Sequence, residues 1–107
     1  MSFSAMIAER DLWTIIHLEG ELDLASRTDI AEVLDAAMEA GAGRIVLDFT
    51  DLTFIDTGGM AGILTAVARA EQLGVDVVVA NPSRLAGHVL AVSGFRDVIN
   101  APIPLAC

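Results

Sequence analysis

The sequence predicts a mixed α/β domain, a sheet of about four to five strands with helices packed after the strands in the order β-β-α-β-α-β-α. Three observations carry that expectation. Short β-branched runs recur along the chain, the stretches between them switch to helical spacing, and glycines close the first two helical stretches. Alternation of this kind makes the later strand connections parallel crossovers.

The elements follow in order. A first short strand is expected around Phe3 to Ala8, and a second from Trp13 to Glu19, "WTIIHLE", where β-branched and aromatic residues alternate in part. "GELD", Gly20 to Asp23, then breaks the strand with glycine and acids. Ile30, Val33, Leu34, Ala37 and Met38 recur at helical spacing, with Asp29, Glu32, Asp35 and Glu39 mostly on the other side, and Gly41 to Gly43 end this first helix. Arg44 to Phe49, "RIVLDF", suits a buried strand. Met60, Ile63, Leu64 and Val67 form one face of a second helix closing at Gln72 to Gly74, and Val75 to Ala80 make the next strand. A third helix starts at "NPSRL", with Pro82 near its first turn and Leu85, Val89 and Val92 along one face. Val98 and Ile99 suit an edge strand, and residues 101–107 an irregular tail.

A chain of 107 residues is the length of one domain, so residues 1–107 are read as a single unit. Apolar residues make up 54% of it, enough to bury a core, and no apolar run approaches the ~18 residues of a membrane span. "MSFSAMIAER" lacks the basic and apolar regions of a signal peptide, which makes a cytoplasmic protein without membrane insertion the expectation. The net charge is −9, and its six basic residues are arginines scattered singly. No basic stripe exists to bind nucleic acid directly, whereas a protein partner with a basic surface suits the imbalance. The lone Cys107 cannot form an internal disulfide, and His17 and His88 are too far apart for zinc-ligand spacing, so no metal site is expected.

The chemistry concentrates at Phe54 to Gly59, "FIDTGG". Asp-Thr-Gly surrounds the catalytic Asp of aspartic proteases, and the chain is about the size of half a dimeric one, with Asp56 as its carboxylate. Those proteases are built almost wholly of strands, whereas this triplet runs straight into a helix, so the enzyme is a remote alternative. Two readings of Thr57 remain. It is an N-cap, its hydroxyl accepting a first-turn amide beside glycines that serve a tight turn. Or it is an exposed hydroxyl at a helix N-terminus, where a phosphate is tolerated. A phosphate there adds about −1.5 to −2 charges beside Asp56 and Asp51, enough to repel a partner.

"GELD" at Gly20 to Asp23, followed by "IVLDFTDLTFIDTGGMAGIL" from Ile45 to Leu64, resembles the STAS domain family, named for sulfate transporters and anti-sigma-factor antagonists. The resemblance runs from about Phe3 to Ile99. It implies a non-enzymatic bacterial antagonist that acts in transcription regulation by partner switching. The unphosphorylated form would bind an anti-sigma factor that is itself a serine/threonine kinase and so release the sigma factor. Phosphorylation of Thr57 would end binding, and a metal-dependent protein phosphatase would restore it. The chain itself would need no cofactor, since ATP and magnesium belong to the kinase. The resemblance assigns Thr57 as phosphoacceptor and Glu21, Asp23, Asp56, Thr57, Gly58 and Gly59 as partner-binding residues, with Asp29 and Glu32 extending a negative face. Two departures stand out: Thr replaces the more frequent Ser, and Gly58 replaces the usual second hydroxyl. "DTGG" also resembles the STAS subunit of bacterial phospholipid-transport ABC complexes, where the Thr contacts the cytosolic ATPase and no switch operates.

Overall fold

A computed structural model describes residues 2–95 and 97–103. The expectations for Cys107, for Arg96 and for the tail beyond residue 103 lie outside the described residues. β1 (Phe3–Arg10) and β2 (Trp13–Leu22) form an antiparallel hairpin. α1 (Arg27–Glu39), β3 (Arg44–Ile55), α2 (Thr57–Gln72), β4 (Asp76–Ala80), α3 (Arg84–Val92) and β5 (Val98–Ile99) follow. The five strands lie in the order β1-β2-β3-β4-β5, and every pairing after the hairpin is parallel. This is the mixed α/β architecture that the alternation of runs predicts.

Strand parity sorts the side chains onto two faces. Ile16, Leu18, Ile45, Leu47, Val77 and Val79 point to one face and meet Ile30, Leu34, Ile63, Val67 and Leu90 of the three helices. All three helices therefore cover the same side of the sheet. The opposite face carries a smaller cluster of Ile15, Val46 and Ala80, with Trp13 and Ile103 packed against it. Asn81, in a left-handed conformation with φ 54, holds the approach to Ile103: its side chain accepts from the Ala101 amide at 2.9 Å and donates to the Ala101 carbonyl.

Two strands outrun the sequence expectation. β2 continues through Gly20 and Glu21 instead of ending at Glu19, and β3 continues from Phe49 to Ile55. The extensions pair with each other, Glu21 beside Phe54 and Leu22 beside Ile55, after register shifts between His17 and Glu19 and between Gly20 and Glu21. Such irregularities break the alternation that marks a strand in sequence. Gly20 sits at φ +93, and a Cβ there would fall 2.2 Å from the Ser2 carbonyl oxygen, so the hairpin passes only a glycine at this point. Helix α3 also differs. Its buried residues are Ala86 and Leu90, whereas Leu85 and Val92 are exposed and Val89 is half-buried. Pro82 precedes the helix and Ser83 caps it, accepting from the Ala86 amide at 3.1 Å.

Candidate functional site

The β3–α2 joint is built by Asp56. Its backbone is extended (φ −102, ψ −176) while its carboxylate accepts from the Gly59 amide at 2.7 Å and its carbonyl from the Met60 amide at 2.8 Å. This is the geometry of an N-cap, so the cap belongs to Asp56 and not, as one reading of the sequence has it, to Thr57. Both residue types cap helices, and only the backbone angles reveal which one remains outside the helix. Thr57 becomes the first helical residue, exposed, its hydroxyl without a hydrogen-bond partner among the described residues. The amides of Thr57 and Gly58 precede the first intrahelical bond and lie at the positive end of the helix.

The "GELD" loop lies directly against this joint. The Asp56 amide donates to the Leu22 carbonyl at 3.3 Å. A Cβ on Gly59 would fall 2.3 Å from the Leu22 carbonyl oxygen and 3.2 Å from the Asp23 nitrogen. One on Gly58 would fall 2.7 Å from Leu24 Cβ, and one on Gly62 would fall 2.7 Å from Arg27 Cβ. The first two turns of α2 are thus glycine-rich because the end of β2 and the start of α1 press on them. Asp23 caps the 3-10 turn Leu24–Ser26, accepting from the Ser26 amide at 3.1 Å and its hydroxyl at 3.0 Å. Glu21 is half-buried beside Phe54.

Of the residues singled out from sequence, the fold therefore gathers Glu21, Asp23, Asp56, Thr57, Gly58 and Gly59 at one corner. Gly59 is buried beneath Leu22 and touches no solvent-facing surface, Gly58 is half-buried beneath Leu24, and Thr57 projects outward. Asp29 and Glu32 do not join this corner. They line a separate groove with Phe3, Ser4 and Ala5, on the β1 side of α1.

Sequence reasoning misses the surface beside Thr57. A groove of about 780 Å³ opens between α2, α3 and the end of β3, floored by Leu52, Ile55, Met60 and Val89 and flanked by Phe54 and Leu85. Thr57, Asp56 and Ser83 also line it. Leu85 is 71% exposed, and Phe54 and Leu24 nearby are exposed too. No local signal marks it, since Leu85 shares the apolar face expected of α3 and Phe54 sits beside Ile55.

A second polar feature lies on the far face of the sheet. His17 Nδ1 and Asp48 Oδ2 are 2.7 Å apart, with side-chain exposures of 4% and 2%, and His17 Nε2 is buried without a partner among the described residues. The other Asp48 oxygen accepts from the Thr50 amide at 3.1 Å and hydroxyl at 2.6 Å, and the Thr50 hydroxyl accepts in turn from Asn81 Nδ2 at 3.2 Å. The pair anchors β2 to β3 and the approach to Ala101. Among the described residues no cluster of His, Cys, Asp and Glu could hold a metal ion, and no helix is long and apolar enough to cross a membrane.

Three helices on one face of a five-stranded mixed sheet, with the second helix opened by an Asp-capped, outward-facing threonine, define a SpoIIAA-like α/β domain. The family model of the STAS domain matches residues 4–105, and the chain belongs to that family. The solved structures agree. The phosphorylated form of the Bacillus cell fate determinant SpoIIAA superposes with a TM-score of 0.74 at 26% identity, covering 94% of this chain and 92% of that one. The anti-sigma factor antagonist SpoIIAA in its unphosphorylated form gives 0.73 at 26%, covering 94% and 89%. An anti-sigma factor antagonist from Mycobacterium paratuberculosis shares the fold with a TM-score of 0.72 at 16% identity, covering 92% and 86%. No curated protein sequence matches the chain.

Proposed function

We propose that this chain is an anti-sigma-factor antagonist whose partner binding is switched by phosphorylation of Thr57. The observation that carries the reading is the division of roles at the β3–α2 joint. Asp56 holds the helix, so the Thr57 hydroxyl is left exposed at a helix N-terminus, on the lining of an apolar groove. A kinase can reach it, and a phosphate added there interrupts no bond of the described fold. SpoIIAA has been solved in phosphorylated and unphosphorylated forms, and its likeness over nearly the whole chain supports the same switch here.

In the unphosphorylated state the groove and its exposed rim residues, Phe54 and Leu85, offer apolar area to an anti-sigma factor of the kinase type, with Glu21, Asp23 and Asp56 supplying negative charge at the edge. The partner kinase brings ATP and magnesium, transfers the terminal phosphoryl group to Thr57 Oγ1 and is expelled. A phosphate buried at such an interface without a compensating cation costs several kcal/mol, and about 1.4 kcal/mol is tenfold in affinity. Removal of the phosphate by a phosphatase resets the surface.

The phospholipid-transporter reading differs at one point: Thr57 contacts an ATPase subunit and is never phosphorylated. Gly58 does not favour it, because Leu24 fills the space that a side chain at position 58 would need. The test is intact-mass and peptide-mapping spectrometry of the protein purified from its host with phosphatase inhibitors. A phosphate on Thr57 in one growth condition and not another supports the switch. An unmodified Thr57 in every condition, with an ABC ATPase co-purifying, overturns it in favour of the transporter subunit.

A further inference from the structure

Among the described residues, β1 forms the edge of the sheet opposite β5 and pairs only with β2. Its register is fixed at both ends: Arg10 faces Trp13 across the Asp11–Leu12 turn, and the Glu21 amide donates to the Ser2 carbonyl. In an antiparallel ladder the residues bonded to the neighbour alternate. The even-numbered residues therefore bond β2, and Phe3, Ala5, Ile7 and Glu9 turn their N–H and C=O groups outward. Native edge strands are normally blunted by charged side chains, proline, a bulge or a covering loop, and β1 carries charge only at its last two residues, Glu9 and Arg10. β1 has eight residues, "FSAMIAER", with no proline and no lysine, and its pairing with β2 runs without a register shift. Met6 and Ile7 are 51% and 42% exposed in the middle of it.

On the helix-covered side the charges beside this edge are acidic, while Arg10 ends the strand with its side chain on the opposite face. The odd-numbered side chains of β1 share the helix-covered face, where Asp29 and Glu32 of α1 line a groove with Phe3, Ser4 and Ala5. Glu9 continues the acidic line along the same strand face. A second copy of this chain would bring the same acids, and a net charge of −9, against their own kind. An extended segment with basic residues at every second position fits instead.

We propose that the β1 edge, with the acidic side of α1, is a docking site for an extended, basic segment of a partner protein, which adds to the sheet as a sixth strand. The main-chain groups of Phe3, Ala5, Ile7 and Glu9 bond the added strand. Its basic side chains, on the helix-covered face, meet Glu9, Asp29 and Glu32, and its intervening apolar side chains lie beside Met6. The main-chain groups of Ala5, Ile7 and Glu9 lie two strands away from the strand that leads to Thr57, and only the Phe3 end of the site adjoins Glu21.

The test uses the full chain and a fluorescein-labelled, end-blocked octapeptide of alternating Arg and Val. Its controls are the alternating Glu-Val peptide and an Arg-Val peptide N-methylated on the amides that would face β1. Fluorescence anisotropy should show binding of the Arg-Val peptide only. N-methylation should weaken it by about tenfold or more, because it removes the main-chain bonds. The double substitution Asp29→Lys, Glu32→Lys should weaken it by about three- to tenfold, since exposed ion pairs are individually weak. Hydrogen exchange should show new protection at the amides of Ala5, Ile7 and Glu9. Equal binding of the N-methylated peptide would mean unspecific charge attraction and overturn the proposal. Protection at the Thr57 corner instead, or self-association of the chain through β1 that excludes the peptide, would overturn it as well.

Discussion

Replacing Gly59 by alanine tests the most demanding contact of the site. The added Cβ would stand 2.3 Å from the Leu22 carbonyl oxygen and 2.8 Å from its carbon, where ordinary contact begins at 3.4 Å. Both neighbours are backbone at a fully buried residue, so relief requires α2 and β2 to part by about 1 Å. Overpacking of this kind costs about 1–3 kcal/mol. Parting also strains the Asp56 amide bond to Leu22, worth about 1 kcal/mol net. Against this stands the higher helix propensity of alanine, at most about 1 kcal/mol. Gly59→Ala should therefore destabilise by about 1–3 kcal/mol, whereas Gly87→Ala, whose Cβ would meet only Pro82 Cγ at 3.6 Å, should be neutral or stabilise by up to about 1 kcal/mol. Urea unfolding followed by circular dichroism, with unchanged m-values, measures both. A Gly59→Ala variant as stable as Gly87→Ala would refute the close packing of "GELD" against α2.

Further outcomes are expected from the same geometry. Asp56→Ala should lose about 0.5–2 kcal/mol with the cap, while Thr57→Ala should change stability by less than about 0.5 kcal/mol; thermal melts of the two variants separate the roles. Thr57→Glu should weaken binding to the purified anti-sigma partner by about tenfold or more relative to Thr57→Ala, read by calorimetry, and equal affinities would count against the switch. Asp48→Ala should cost about 1–3 kcal/mol in chemical denaturation, because it leaves the buried His17 Nδ1 and the Thr50 hydroxyl without their acceptor.

The helical faces were legible because Ile30 to Met38 and Met60 to Val67 repeat at 3.6 residues, a local property of the chain. The extension of β3 to Ile55 was not, since Thr53 and Phe54 are exposed and the strand's register shifts against β2 beyond Asp48. The face of α3 was misjudged for a related reason. Leu85 and Val89 are as apolar as a core demands, but it is the small Ala86 that lets the helix approach the sheet, and the larger side chains are left to line the groove. At the corner itself, the residues chosen from sequence lie together, but the reading of Thr57 as the cap fails, because adjacent Asp and Thr have the same local competence. The reason for Gly58 and Gly59 was out of reach, since it lies in contacts with Leu22 and Leu24, more than thirty residues earlier in the chain. The His17–Asp48 pair is likewise created by strand register alone.

The separation of Asp56 from Thr57 bears on how often such a surface can be rewritten. If one side chain both capped the helix and received the phosphate, each modification would release a first-turn amide, and each cycle would pass through a loosened α2 exposed to proteolysis and aggregation. With the anchor one residue upstream, the proposed phosphate could be added and removed repeatedly while the interior kept the same bonds. Under that proposal the working lifetime of the chain would be set by its modifying enzymes and not by wear on the domain.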